Sequence, residues 1–257
     1  MIAALITARG VQQGYKDNAL LPLLGRPIIS YPYLAAFHSN FVDEIFLTSD
    51  GLQLQHVANN LGIEFIERPT EFSRKDVGHG QVINHALSHI ENSFESVEIL
   101  VVLLGNVATH EVGIVDKTIE VLKENSHVDS CVTISERNEF HPLRSKRTVG
   151  ESIHEDDSSG PAIYEIEPFI QSEGTVSTNR QDLEPVYFLN HAVWALRPEI
   201  CLSSNKGQWP GSFVGQTVVG VETDHGIDIR TQEDLAFSQQ WLMSHGWSMN
   251  NSPYWSS

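Results

Sequence analysis

The chain has 257 residues, 40% of them hydrophobic, with 16 lysines and arginines against 33 aspartates and glutamates and a formal net charge of −17. That length and apolar content suffice for one large domain with a sizeable core. The acidic balance excludes general nucleic-acid or anionic-membrane binding, which needs a basic surface, and no apolar run approaches the ~20 residues that span a bilayer.

Cys131 and Cys201 make neither a disulfide framework nor a metal cluster and read as reduced thiols of a cytoplasmic protein. The opening "MIAALITARG" is too short for a signal peptide and lacks a basic leader. Its run "IAALIT" predicts a first buried strand that ends at Ala8-Arg9-Gly10. "PIISYPYLAAFHSN" has the period of an amphipathic helix, with Pro27 suited to its first turn. "VDEIFLTSD" is β-branched and aromatic and predicts a strand ending in Asp50. "GLQLQHVANNLG" predicts a helix with Leu52, Val57 and Leu61 apolar and Gly62 as its stop.

"IEFIERP" predicts a short strand, and "DVGHGQVINHALSHIEN" a helix with a Gly-rich start. "VEILVVLLGN" is apolar at nearly every position, as a strand buried on both faces should be. "GIVDKTIEVLKEN" follows as a helix and "DSCVTISER" as a strand. Strands alternating with helices of this length imply βαβ units and a mainly parallel sheet.

Apolar density then falls and turn formers accumulate, so that residues 136–190 read as an inserted arm or lid within one domain spanning 1–257. "VYFLNHAVWALRP" returns to strand pattern, and "TVVGVETDHGIDIRTQEDLAFSQQWLMSHG" reads as strand, loop and helix. Thr231 is a candidate N-cap there, with Asp234 as its acidic partner. The tail "WSMNNSPYWSS" is polar and reads as frayed, its aromatics Trp247, Tyr254 and Trp255 either packing back or meeting a second copy.

In open α/β sheets, ligands bind beyond the carboxyl ends of the strands. Those ends are Arg9-Gly10, Asp50, Gly105-Asn106 and the loop around Asp228. Arg9 with Gly10 suits phosphate, and the Asp228 carboxylate suits Mg2+. Neither G-x-G-x-x-G nor G-x-x-x-x-G-K-[ST] occurs, which disfavours a nicotinamide dehydrogenase or a P-loop enzyme. His85 and His89 have the i, i+4 spacing of a zinc pair but lack a further ligand set, and read as ordinary surface or core histidines.

"ALITARG…KDNALLPLLGRPIISYPYLAAFHSNFVDEIFLTSD" resembles the opening of the acylneuraminate (sialic acid) cytidylyltransferases. The likeness continues through "GIEFIERPTEF" and "INHAL", returns in "RQDLEPVYFLNHAVWALRPE", and closes with "GIDIRTQEDL". It implies a Rossmann-like nucleotidyltransferase (GT-A-like) three-layer α/β sandwich with a mainly parallel sheet and an inserted dimerisation arm. It further implies a cytoplasmic homodimer that uses CTP and Mg2+ to activate a 2-keto-3-deoxy sugar acid, with release of pyrophosphate, for surface-polysaccharide or glycan synthesis.

By the same resemblance, Ala8, Arg9, Gly10, Gly14 and Asn18 belong to the triphosphate loop, with Lys16 as a second loop cation. Arg68 would lie on the nucleotide side; apart from the resemblance, His79-Gly80 stands at a helix entry, a place to meet the cytosine or a phosphate through its backbone. Asn106, Gln181 and Asn190 would face the sugar, and Asp228 would hold the metal. Arg9, Lys16 and Asp228 would carry catalysis.

The chain departs from the family pattern at several of these places. Gln13 stands where the first loop lysine would be, "LLGNVATHEV" replaces the substrate glutamine and serine, and His191 follows Asn190 in place of glycine. Arg230 replaces the second aspartate of the Asp-x-Asp pair. Three readings follow: Asp228 holds Mg2+ with other oxygens, Arg230 takes over part of the metal's electrostatic role, or the chain does not catalyse. The alternatives to the enzyme are a silent nucleotide-sugar binding or partner protein, and a nucleotidyltransferase with another nucleotide or acceptor.

Overall fold

In the computed structural model, the first apolar run forms β1 (Ile2–Thr7), buried at every position. The structure describes residues 1–10, 18–74, 76–152, 162–171, 174, 176–202, 206–208 and 210–255. A short hairpin comes next, β2 (Pro22–Leu23) against β3 (Arg26–Pro27), turned by Leu24 and Gly25 at φ of 46° and 78°. Pro27 therefore lies in the hairpin and not in a first helical turn; α1 (Ser30–Phe37) begins after it. Pairing of β3 with β2 takes Pro27, the first residue of the helical pattern, into the hairpin.

The strands β4 (Glu44–Ser49), β5 (Glu64–Glu67), β6 (Ile99–Leu104) and β7 (Ser130–Glu136) alternate with the helices α2 (Leu52–Leu61), α3 (His79–Ser93) and α4 (Ile114–Glu124), as the patterning predicts. Gly62 closes α2 in the left-handed conformation that a Cβ would strain. The buried face of α2 is Leu54 and Ala58, an i, i+4 pair, while Leu52 is 76% exposed. Val57 and Leu61 are only half-buried.

A second unit, Ser135–Phe188, covers most of the stretch read as an arm. It holds the antiparallel pair β8 (Lys146–Val149) and β9 (Glu165–Pro168), with Arg147 paired to Glu167. The chain continues with β10 (Tyr187–Leu196), which belongs to the first unit from Leu189 on, and then α5 (Pro198–Cys201), β11 (Val218–Glu222) and α6 (Gln232–Ser244) of the first unit. Thr231 caps α6 by accepting from the Asp234 amide, and Asp234 accepts in return from the Thr231 amide.

The main sheet has the order β11-β7-β10-β6-β1-β4-β5. β6, β1, β4 and β5 run parallel, β11 is parallel to β7, and β10 is antiparallel to β6. Apolar residues pack both faces. Ala4, Ile6 and Val101 meet α1, α2 and α4 on one side, and Leu5, Phe46 and Val102 meet Ile83, Ala86 and Ile90 of α3 on the other. This is the expected three-layer α/β arrangement. β4 and β6 flank β1 on opposite sides, so the connections reverse direction at β1 and leave a crevice at its carboxyl end.

The tail departs from its reading as a frayed end. Trp247 and Tyr254 are 4% and 7% exposed, and join Ile28, Tyr31, Ile229 and Leu242 in a third apolar cluster. No described helix is long and apolar enough to cross a membrane.

His110, in the loop after β6, is 2% exposed, and its Nε2 donates to the Val107 carbonyl at 3.1 Å. Burial pushes its pKa down to about 4. The unfolded chain takes up this proton near pH 6.5 and the folded chain only near 4, so stability is full above the first value and declines towards the second. The loss attributable to His110 is on the order of 3 kcal/mol. Urea unfolding between neutral pH and about 4.5 should show a shallower decline in His110→Gln than in the native chain; equal slopes would refute the assignment.

Candidate nucleotide site at the switch point

β1 carries the backbone to Ala8, whose amide donates to the Thr48 carbonyl at 3.1 Å. The Gly10 amide then donates to Asp50 Oδ1 at 2.8 Å, and Gly10 lies so close to Gly51 that a Cβ would meet its Cα at 2.5 Å. Gly10→Ala must displace backbone here. We expect a stability loss of about 1–3 kcal/mol, as for overpacking elsewhere, measurable by denaturant unfolding. Burial works to raise the Asp50 pKa, but hydrogen bonds from Gly10 and Ser73 and the Arg68 charge hold it below the usual range.

Arg68 follows β5 and is 4% exposed. Its amide donates to the Ser49 carbonyl at 2.8 Å and a terminal guanidinium nitrogen to the Thr48 carbonyl at 3.1 Å. Its Nε is buried with no hydrogen-bond partner among the described residues. Burial lowers its pKa to about 10; Asp50 opposes this and the Arg9 charge adds to it. A buried guanidinium with an open donor, held by strand carbonyls, is suited to an anion.

His79 is the first residue of α3, after Gly78, whose amide donates to Gln81 Oε1 at 3.3 Å. Its ring meets Trp194 edge-on at 5.5 Å. Gly80 packs against Phe213, where a Cβ would approach to 3.2 Å. A cavity of 510 Å³ opens beside these residues, lined also by Gln81 and Cys201. Although the His79 ring reaches solvent, the protein around it pushes its pKa down to about 4; His191 and Arg9 add to this, and Asp228 opposes it.

On the other side of β1, Asn106 follows β6. Its Nδ2 donates to Asp228 Oδ1 and, at 3.3 Å, to the Ile229 carbonyl, while its own carbonyl accepts from the Ile229 amide at 3.1 Å. The buried Asn18 donates to the same Ile229 carbonyl at 2.9 Å. Arg230 donates to Asp228 Oδ2 from Nε at 2.7 Å and from a second nitrogen. His191 reaches this group electrostatically: burial lowers its pKa, Asp228 opposes the shift and Arg230 adds to it.

Arg9, Arg68, His79, His191, Asp228 and Arg230 are thus linked by mutual electrostatic action at one end of the sheet. Asn18 and Asn106 fix the loop that carries Asp228. Asn190 was expected to face the sugar, but it is 7% exposed and lies in the interior. Its Oδ1 accepts from Thr133 Oγ1 at 2.5 Å and its Nδ2 donates to Thr223 Oγ1 at 2.8 Å, which anchors the strand bearing His191. Gln181 is exposed in the second unit, beside a cavity of 280 Å³ lined by Glu136, Asn138, Glu139 and Arg180. Gly14 and Lys16 lie outside the described residues.

Residues that sequence reasoning left off the site are His191, Trp194 and Phe213. His191 and Trp194 were within reach in "NHAVW", where the indole Nε1 donates to the Asn190 carbonyl at 3.2 Å; Phe213, whose ring meets Trp194 at 5.2 Å, carries no local signal.

The expected Mg2+ does not fit Asp228 as the structure places it. Mg2+ is held by oxygen atoms in near-octahedral geometry. Both Asp228 oxygens accept hydrogen bonds, and one of them faces a guanidinium, which repels a dication. Among the described residues no three His, Cys, Asp or Glu stand together as a metal group.

A mostly parallel α/β sheet with cationic groups at the carboxyl ends of its strands defines a doubly wound α/β protein with a candidate anion site at its switch point. A family model described as cytidylyltransferase matches residues 3–164, and the chain belongs to that family. It is 31% identical over 99 residues to an N-acylneuraminate cytidylyltransferase of Escherichia coli O18:K1:H7, covering 38% of this chain and 23% of that one. It is 24% identical over 233 residues to an N-acylneuraminate cytidylyltransferase of Streptococcus agalactiae serotype V, covering 90% and 51%. The chain therefore spans about half the length of these curated relatives, or less. A solved CMP:2-keto-3-deoxy-manno-octonic acid synthetase complexed with CTP has the same fold, with a TM-score of 0.63 at 14% identity, over 95% of this chain and 99% of that one.

Proposed function

We propose that the protein transfers CMP from CTP to the anomeric hydroxyl of a 2-keto-3-deoxy sugar acid of the sialic or ulosonic type, releasing pyrophosphate. The observation that carries this reading is the convergence of Arg9, the buried Arg68 with its open Nε, and the start of α3 at the switch point. Family membership supplies the nucleotide and the reaction, and the relatives' names supply the acceptor class.

The sugar hydroxyl oxygen attacks the α-phosphorus, the bond to the β-phosphate oxygen breaks, and the hydroxyl proton is lost. Negative charge grows on phosphate oxygens as pyrophosphate leaves, so fixed cations and helix N–H groups stabilise the transition state more than the ground state. Arg9 and Arg68 supply the charge, and α3 presents the positive end of its dipole.

The test is pyrophosphate release by the purified chain with CTP and a panel of sugar acids. Release with at least one acid supports the reading. CTP binding without release from any acid supports a silent nucleotide-binding protein, which the engagement of Asp228 by Arg230 favours. Absence of CTP binding sinks both.

A homodimer is part of the proposal. The second unit exposes Ile166, Phe169, Ile170, Tyr187 and Phe188, several large apolar side chains in one small unit. Sedimentation should give a dimer, and Phe169→Asp should shift it to monomer at the same concentration.

A further inference from the structure

We propose that Arg230 occupies the position at Asp228 that a divalent cation would take, so that the site binds CTP without a protein-held metal ion. This rests on the reading of the crevice as a CTP site.

The first support is the way the pair is built. The Asp228 side chain is 13% exposed and that of Arg230 is 70% exposed. Two Arg230 nitrogens converge on one carboxylate oxygen, while Asn106 holds the other. The carboxylate is thus oriented from both sides by protein donors. A Mg2+ ion entering here would have to break the guanidinium contact and strip one of these oxygens.

The second support is what Arg230 keeps free. A guanidinium has five N–H donors in a rigid fork, and carboxylate pairing on one side leaves others directed outward. The exposed part of Arg230 offers planar, charge-assisted hydrogen bonds to phosphate oxygens, which Asp228 by itself could only repel. The pair is also fixed at its base, because the Arg230 amide donates to Asp234 Oδ2 at 2.9 Å at the start of α6.

The third support is the balance of charge. Arg9, Arg68 and Arg230 match Asp50, Asp228 and Asp234 in number, so the crevice escapes the excess of carboxylates that marks the whole chain. Local neutrality of this kind lets the outward donors of Arg230 meet a polyphosphate that an acidic crevice would repel. With a carboxylate in place of Arg230, the same crevice would need a dication.

The experiment is calorimetric binding of CTP to the purified chain in EDTA and in MgCl2, with circular dichroism as a folding control. Native affinity should differ by less than about threefold between the two conditions. Arg230→Ala should weaken binding in EDTA by about tenfold or more, the usual size for losing a charged hydrogen-bond donor. Arg230→Asp, which gives Asp228 a second carboxylate, should make binding depend on Mg2+ by about tenfold or more.

If native binding falls by about tenfold or more in EDTA, the inference is overturned while the proposed function stands. If the native chain binds CTP in neither condition, the proposed function falls and this inference with it. Electron paramagnetic resonance of Mn2+ added to the protein alone gives a second readout. Native chain should not bind the ion at this site, and bound Mn2+ that is lost in Asp228→Asn would overturn the inference without reference to the nucleotide.

Discussion

Arg9→Ala is expected to lower kcat/KM for CTP by about a hundredfold or more, the range seen when one preorganised donor to a developing oxyanion is removed. Arg9 is placed by β1, whose backbone is held on both sides by β4 and β6, so its charge has a fixed origin at the reversal point of the sheet. It acts electrostatically on both Arg68 and His79. The two cations would not be held near each other without a compensating anion, and Asp50 is the carboxylate that answers Arg68. On the proposed function, the triphosphate of CTP would supply the remaining negative charge. Because that charge grows as pyrophosphate leaves, kcat should fall as well as KM rise. Arg9→Lys should recover only part of the rate, since a point charge lacks the planar fork. The half-exposed side chain lies outside the apolar clusters, so unfolding midpoints should hardly move. A change within about threefold in kcat/KM would place the phosphates elsewhere.

The alternation of strands and helices was legible because the core is built on periodicity. Ile2–Thr7 and Ile99–Leu104 are apolar throughout and occupy the centre of the sheet, where both faces are covered. Gly62 and Thr231 also read correctly, since their roles follow from local backbone chemistry. Where the reading failed, a non-local partner decided the outcome. Leu52 lost its core place to Leu54 because the phase of α2 is set by the sheet beneath it. Asn190 turned inward because Thr133 and Thr223, distant in sequence, offer it a donor and an acceptor. One pairing was open to inspection. In Asp228-Ile229-Arg230, extended alternation puts the two charges on one side and sends Ile229, 0% exposed, into the core.

The same Ile229 ties the site to the tail, and there the largest stability effect is expected. Trp247→Ala should destabilise the chain by about 3–5 kcal/mol, the usual cost of truncating a buried tryptophan. The indole is 4% exposed, lies edge-on to Tyr31 at 4.9 Å, and has the Arg26 guanidinium over its ring at 5.4 Å. Arg26 also donates to the Ser248 and Met249 carbonyls at 3.2 and 3.3 Å, so the tail is clamped to the β2–β3 hairpin by both packing and hydrogen bonds. Removing the indole leaves a cavity among Ile28, Tyr31 and Leu242 that rigid neighbours on α1 and α6 cannot close. Ile229 packs in that cluster while its carbonyl accepts from Asn18 and Asn106. A loosened cluster therefore also loosens the loop that presents Asp228 and Arg230, and CTP binding should weaken by a few-fold alongside the loss of stability. Guanidinium unfolding measures the first effect and calorimetry the second. A stability change within about 0.5 kcal/mol would mean that the tail is held by nothing more than a typical surface position, and would return it to the frayed end its polar composition suggests.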